Sequence, residues 1–212
     1  MGNQKEQERQ ELHKTIWAMA NDLRGAVDGW DFKMYVLGFI FYRFISEKFE
    51  NYVNDNEAKA GNPDFDYSEI SDEMASQIRD EMIDTIGYFI LPSELFVNVS
   101  KNASKDENLN ETLERVFNNI EASSKGTLSE KDFKGLFGDV DLNNQNKLGL
   151  TVADRNRRLT SILSSIASMN LGEVEDHTID AFGDAYEYLM SMYASSAGKS
   201  GGEFFTPQEV SN

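Results

Sequence analysis

A mainly helical fold, a bundle with little or no β-structure, is what this 212-residue sequence predicts. Three observations carry the expectation. Apolar residues recur at three- and four-residue steps in several long segments, and strand signals are sparse throughout. One segment, from Phe32 to about Val53, is apolar nearly all round, the pattern of a helix at the centre of a bundle. The 40% hydrophobic and 11% aromatic content supplies a core, and a chain of this length buries roughly 70–75% of its unfolded surface.

In chain order, residues 1–10 are nearly all polar and read as a disordered tail. From Leu12 the stripe Leu12, Ile16, Met19, Leu23 and Val27 predicts a first helix, broken at Gly25, Asp28 and Gly29. Asp31 can cap the second helix by accepting orphan N–H groups of its first turn. Trp17, Phe39 and Ile40 then lie on the apolar stripes of consecutive helices and are expected to be buried together. Asn54 to Asp66 is polar around the Gly61-Asn62-Pro63 turn. Met74, Ile78, Met82 and Ile86 mark a third helix over 71–86, and Tyr88 to Leu91, stopped by Pro92, suits an extended segment or a brief edge strand.

Leu109, Leu113, Val116 and Ile120 mark a further helix, and Ser129 to Phe137 suits a short one. Asp139 to Gly149 is asparagine-rich and loop-like. Leu159, Ile162, Leu163, Ile166 and Met169 define a long helix ended by Gly172. Ile179, Phe182, Tyr186, Leu189 and Tyr193 define the last, followed by a glycine- and serine-rich loop over 195–202. The expected organisation is a helical domain over 11–170, then a linker helix and the beginning of another domain over 171–212.

Composition excludes several chemistries. Twenty basic and thirty-seven acidic residues leave a net charge of −17, a field that repels phosphate and argues for protein partners or small ligands. With no cysteine, disulfides, thiolate zinc sites and cysteine nucleophiles are excluded. Two histidines, His13 and His177, cannot build a histidine-rich metal centre, so no metal site is expected. The polar N-terminus lacks a secretion signal, Gln7 stands where a myristoylation signal needs Ser or Thr, and the longest apolar run, Met34 to Tyr42, is too short to cross a membrane. A soluble, cytoplasmic protein is expected.

Most motif-like stretches fail on inspection. Asp139-Val140-Asp141-Leu142-Asn143 opens like a calcium loop, but Asn144 replaces the turn glycine and Leu150 the closing glutamate, so turn capping is the better use of these side chains. Gly198-Lys199-Ser200 lacks the first glycine of a phosphate loop, whose place falls at Tyr193. Asn62-Pro63-Asp64-Phe65 reads as a surface turn. The asparagine triplets at Asn98, Asn102 and Asn110 mean little without a secretion signal. The ending, Gly201-Gly202-Glu203-Phe204-Phe205-Thr206-Pro207-Gln208, differs. Its glycines permit close backbone approach, Thr206 can donate and accept, and its phenylalanines offer flat apolar faces. On its own it suits a small polar and aromatic ligand or an ordinary loop.

That ending, with Asp184-Ala185-Tyr186-Glu187-Tyr188-Leu189, Leu12-His13-Lys14-Thr15-Ile16-Trp17, Phe32 to Arg43 and Asp139-Val140-Asp141-Leu142, resembles the modification subunit of type I restriction–modification systems, in the expected order from about residue 11 to 212. The resemblance implies an N-terminal helical domain leading to a Rossmann-like domain that transfers a methyl group from S-adenosylmethionine to adenine N6 in DNA. It places the methionine-side cofactor segment on Glu203, Phe204, Phe205, Thr206, Pro207 and Gln208. The family's glycine-rich cofactor loop and catalytic Asn-Pro-Pro-aromatic loop are not in this sequence. An N-terminal portion with no catalytic residues of its own, inactive alone, is therefore expected.

The implied partners are the specificity subunit, a second modification subunit, the restriction subunit and, through the complex, DNA. Lys33, Arg155, Arg157 and Arg158 are the candidates for local DNA contact, against the reading of solvated helix-surface charges. The alternative function is a stand-alone acidic partner-binding protein or DNA mimic. It would need carboxylates along one face, whereas the aromatic second helix is a core pattern.

Overall fold

The computed structural model describes residues 29–169 together with Gln7, Gln10, His13, Lys14 and residues 16–18. The expected last helix, the loop over 195–202 and the segment Glu203 to Gln208 lie outside the described residues. So does the Lys33 side chain.

Among the described residues the fold is helical without a strand, as the periodicity predicts. Its axis is α1 (Gly29–Lys59), which buries Tyr35, Val36, Phe39, Ile40, Tyr42, Ile45, Phe49 and Val53. The helix starts earlier and runs longer than expected. Asp31 lies inside it rather than capping it, and the polar turns beyond Val53 continue to Lys59. It stops where Gly61 takes φ +102°, a left-handed conformation suited to glycine.

Aromatic rings pack along α1 in two clusters. Toward the N-terminal half, Tyr42 meets Phe96 and Phe117 edge-on, each with centroids 5.4 Å apart, and Phe39 meets Phe117 at 5.8 Å. Toward the other end Phe49 contacts Tyr67, Tyr88 and Phe89 at 5.4, 5.8 and 5.7 Å. Tilted and edge-on rings set the positive rim of one against the negative face of another.

Each buried tyrosine hydroxyl of this core donates to a backbone carbonyl in another segment. Tyr35 reaches Asp141, Tyr42 reaches Glu94 at 2.5 Å, Tyr67 reaches Ile90 at 2.8 Å and Tyr88 reaches Ile45 at 3.0 Å. Burial pushes the Tyr42, Tyr67 and Tyr88 hydroxyls well above their ordinary pKa, so they stay neutral donors.

The remaining elements wrap α1. The expected helix over 71–86 is three pieces, α2 (Asp72–Ala75), a 3-10 turn (Ser76–Ile78) and α3 (Arg79–Ile86). A 3-10 turn advances three residues instead of 3.6 and rotates the stripe, so Met74 is exposed while Ala75 and Met82 are buried. Ser71 caps α2, its hydroxyl accepting from Met74 N at 3.3 Å. Tyr88 to Leu91 forms neither helix nor strand, Leu91 is extended, and Ile90 is fully buried. Next come α4 (Phe96–Asn102), which the sequence reading missed, and α5 (Leu109–Ser123), which it located. The expected helix over 129–137 shrinks to one turn, α6 (Glu130–Phe133), and the asparagine-rich loop holds another, α7 (Gln145–Leu148). The long helix α8 (Val152–Ala167) packs on α1, α4 and α5 and ends before Gly172. Arg43 of α1 closes the bundle, donating to the Ile166 and Met169 carbonyls at 2.6 and 2.8 Å at and just beyond the C-terminal end of α8.

The expectation that Trp17 joins Phe39 and Ile40 in the core is corrected. Phe39 and Ile40 are buried, but Trp17 is 51% exposed and its neighbour Ile16 is wholly buried. Consecutive helical residues point about 100° apart, so only one of the two can face the core.

Candidate interaction surface

Residues 139–158 fold into a corner whose polar side chains are spent on its own backbone. Asp141 accepts from Asn143 N at 3.1 Å and from Asn144 Nδ2 at 2.9 Å. Asn144 in turn caps α7, accepting from Asn146 N and Lys147 N at 3.1 and 3.0 Å. These are turn-capping roles for the residues that resemble a calcium loop. Gly149 follows with φ +129°, and a Cβ there would lie 2.5 Å from Asp154 Cβ. Both the dihedral and the space demand glycine. Thr151 caps α8: its hydroxyl accepts from Asp154 N at 3.1 Å and donates to Asp154 Oδ2 at 2.8 Å. That hydroxyl, with the Arg157 guanidinium, holds the Asp154 carboxyl below its ordinary pKa.

The arginines named as phosphate candidates separate here. Arg155 is buried and donates through Nη1 to the Gly149 and Leu150 carbonyls, both at 3.2 Å. Arg158 donates to the Lys147 carbonyl at 2.7 Å. Both work as internal braces of the α7–α8 turn. Arg157 alone of the trio faces outward, its side chain 76% exposed and paired with Asp154 at 2.6 Å.

The braced corner holds apolar side chains in water: Leu150 is 77% exposed and Val152 44%. A hollow of about 450 Å³ bordered by Gln145, Leu150 and Arg158 lies on one side. Another of about 580 Å³, bordered by Ala103, Glu107, Val152 and Thr160, lies on the other. Arg157 lines both and stands on the ridge between them. An exposed arginine beside exposed aliphatic groups, with a hollow on either side, makes this corner the candidate surface for contact with another protein. Sequence reasoning passed over Leu150 and Val152. Their one signal was position, since both precede the Leu159, Ile162, Ile166 stripe that buries α8.

Behind the corner, Asn156 of α8 accepts from Asn110 N at 3.0 Å and donates to the Glu107 carbonyl at 2.6 Å. Asn110 then donates to Asn143 Oδ1 at 2.6 Å. The start of α5 is thereby tied to both α8 and the asparagine-rich loop. Among the described residues no cluster of histidine, aspartate and glutamate could hold a metal ion, and no helix is long and apolar enough to cross a membrane.

Comparison with known proteins identifies the fold. Residues 12–166 match the HsdM N-terminal domain, and residues 177–212 match the N-6 DNA methylase family. The chain is 47% identical, over its whole length, to the type I restriction enzyme MpnII methylase subunit of Mycoplasma pneumoniae, spanning 40% of that protein. It is 23% identical to the MjaIX methylase subunit of Methanocaldococcus jannaschii, over 94% of this chain and 34% of that one. The crystal structure of a type I restriction–modification methyltransferase subunit from Streptococcus thermophilus superposes with a TM-score of 0.71 at 31% identity, covering 95% of this chain and 42% of that one. Thus the chain spans well under half the length of the relatives it matches. With most of its residues matched by one family model, and its helices superposing on those of a methyltransferase subunit, this chain belongs to the HsdM N-terminal domain family.

Proposed function

We propose that this chain is the assembly module of a type I restriction–modification DNA methyltransferase subunit, and that it docks on the specificity subunit through the Leu150, Val152 and Arg157 ridge. The observation that supports the reading most is the match of residues 12–166 to the HsdM N-terminal domain. The braced ridge supplies the surface: its apolar groups are exposed and already ordered, so little entropy is lost on docking. The same relatives favour this module over a stand-alone acidic protein or DNA mimic.

In the proposed organisation residues 11–170 form the helical domain and 171–212 lead into the methyltransferase domain. Within the complete subunit, S-adenosylmethionine would supply the methyl group for adenine N6, with Glu203, Phe204, Phe205, Thr206, Pro207 and Gln208 on its methionine side. The 212-residue chain alone would not methylate DNA, because no base-holding Asn-Pro-Pro-aromatic loop is present in it. DNA, the second modification subunit and the restriction subunit would be met in the assembled cytoplasmic complex.

The test is capture of the specificity subunit by the chain across a salt series. Docking on apolar groups predicts capture that persists as salt rises, whereas attraction supplied mainly by the acidic surface would be screened within about 10 Å at 0.1 M salt and capture lost.

A further inference from the structure

Between α3 and α4 the chain is irregular apart from the 3-10 turn Pro92–Glu94, and side chains from several elements hold it. Tyr67 and Asn98 donate to the Ile90 and Pro92 carbonyls at 2.8 and 2.9 Å. Asp72 of α2 accepts from the Ser93 N–H at 2.9 Å and from the Ser93 hydroxyl at 2.6 Å. Ser123 of α5 accepts from Phe89 N at 2.9 Å, and Ser46 of α1 from Phe96 N at 2.7 Å. With no long helical ladder of its own, the segment depends on these side-chain bonds to stay closed.

Glu94 sits at the centre of this set. Its carbonyl accepts from the Tyr42 hydroxyl at 2.5 Å, and its carboxyl Oε1 accepts from Asn119 Nδ2 of α5 at 2.6 Å. It is 4% exposed, and no other Asp or Glu among the described residues is buried. Burial raises the carboxyl above its ordinary 4.5, and the like charge of Asp72 adds to the effect. Asn119, the exposed Arg115 and the Leu91 N–H offset this only in part. A carboxylate enclosed in this way costs stability that the neutral acid does not.

We infer that the Glu94 carboxyl is a proton-operated latch on the 89–96 segment. Neutral, it stays bonded to Asn119 and holds the segment against α5. Ionised, it draws water into the site, and the segment opens locally while the α1 core stays folded. The folded state binds the proton more tightly than the unfolded chain does. The stability Glu94 contributes is therefore complete below pH 4.5 and is lost as pH rises through its raised midpoint.

The test uses the 212-residue chain carrying Glu50→Gln, which silences another carboxyl with a raised midpoint, with and without Glu94→Gln. Glutamine keeps an acceptor for Asn119 and the backbone bond to Tyr42. Carbon-13 NMR of the side-chain carboxyl follows Glu94 itself. Hydrogen exchange, corrected for intrinsic rate, follows the amides of residues 93–95 from about pH 5 to about pH 8. The expected midpoint for Glu94 lies above 4.5. Protection of those three amides should fall by about threefold or more across the same transition, while the amides of Phe39 and Ile40 hold. In the Glu94→Gln chain the fall should vanish. A midpoint at or below 4.5, protection independent of pH, or the same fall with glutamine in place would overturn the latch. Should the double variant not fold, the chain with Glu94 intact decides: exchange that tracks the carboxyl titration supports the latch, and exchange that ignores it overturns it.

Discussion

The α1 core and the α7–α8 corner use the same device, a side chain donating to a distant backbone carbonyl, to opposite ends. Around α1 the donors are tyrosines whose rings are themselves buried, so each hydroxyl fixes a loop while its ring fills the core. At the corner the donors are arginines, and what they fix is a turn whose apolar residues point into water. Burial of apolar area stabilises the first region. The second is anchored by the buried Leu148, Leu142 and Val140, and the order of its exposed turn comes from hydrogen bonds and caps. A surface meant for a partner must keep apolar groups exposed, so it must be held by something other than its own burial.

Breaking the core gives the largest effect. Phe39 is fully buried against Phe117, so Phe39→Ala should cost on the order of 3–5 kcal/mol through lost burial and a residual cavity. Chemical denaturation measures it, and a loss below about 1 kcal/mol would place Phe39 outside the core. Tyr42→Phe keeps the ring and removes only the donor to Glu94, leaving a buried carbonyl unsatisfied at a cost of roughly 1–3 kcal/mol.

At the corner, Arg155→Met keeps much of the stem but strands the Gly149 and Leu150 carbonyls. A stability loss of about 1–2 kcal/mol is expected. It should come with faster amide exchange at residues 149–152, and unchanged exchange there would mean the guanidinium is no brace.

A smaller, pH-dependent effect sharpens the contrast at the far end of α1. Burial first, then Asp66 and Glu47, raises the Glu50 carboxyl from 4.5 to about 7. The folded state therefore holds a proton that the unfolded chain releases above about pH 4.5. The stability this group contributes is complete below that pH and is lost as pH rises through about 7. Glu50→Gln should accordingly stabilise at pH 8 by about 1 kcal/mol, reduced by partial solvent screening, and should change little near pH 4. Thermal melts at the two pH values check it; an equal gain at both would assign the effect to something other than ionisation.

The two regions were also unequally legible in the sequence. The central helix, α5 and α8 follow from apolar spacing, because burial is what made Val36, Phe39, Ile40, Leu113 and Ile162 apolar. Spacing fails where a turn changes pitch, as between Ala75 and Arg79, and where neighbours compete for the core, as Ile16 and Trp17 do. It also misses short elements: α4 holds only Phe96 and Val99 as buried apolar residues, too few to establish a period. The corner was harder still. Arg155, Arg157 and Arg158 are one residue type within four positions, and only coordinates separate the two braces from the exposed one.

If the ridge is ordered for a partner, its exposed side chains contribute little to the fold's own stability. Leu150→Ser/Val152→Ser tests it directly, with a thermal melt and calorimetric titration of the specificity subunit made on the same preparation. Removing solvent-exposed side chains should leave stability within about 0.5 kcal/mol of wild type per site. Affinity should fall by about tenfold or more, as expected when apolar anchors at an interface centre are lost. Wild-type affinity in a variant of wild-type stability would contradict the claim.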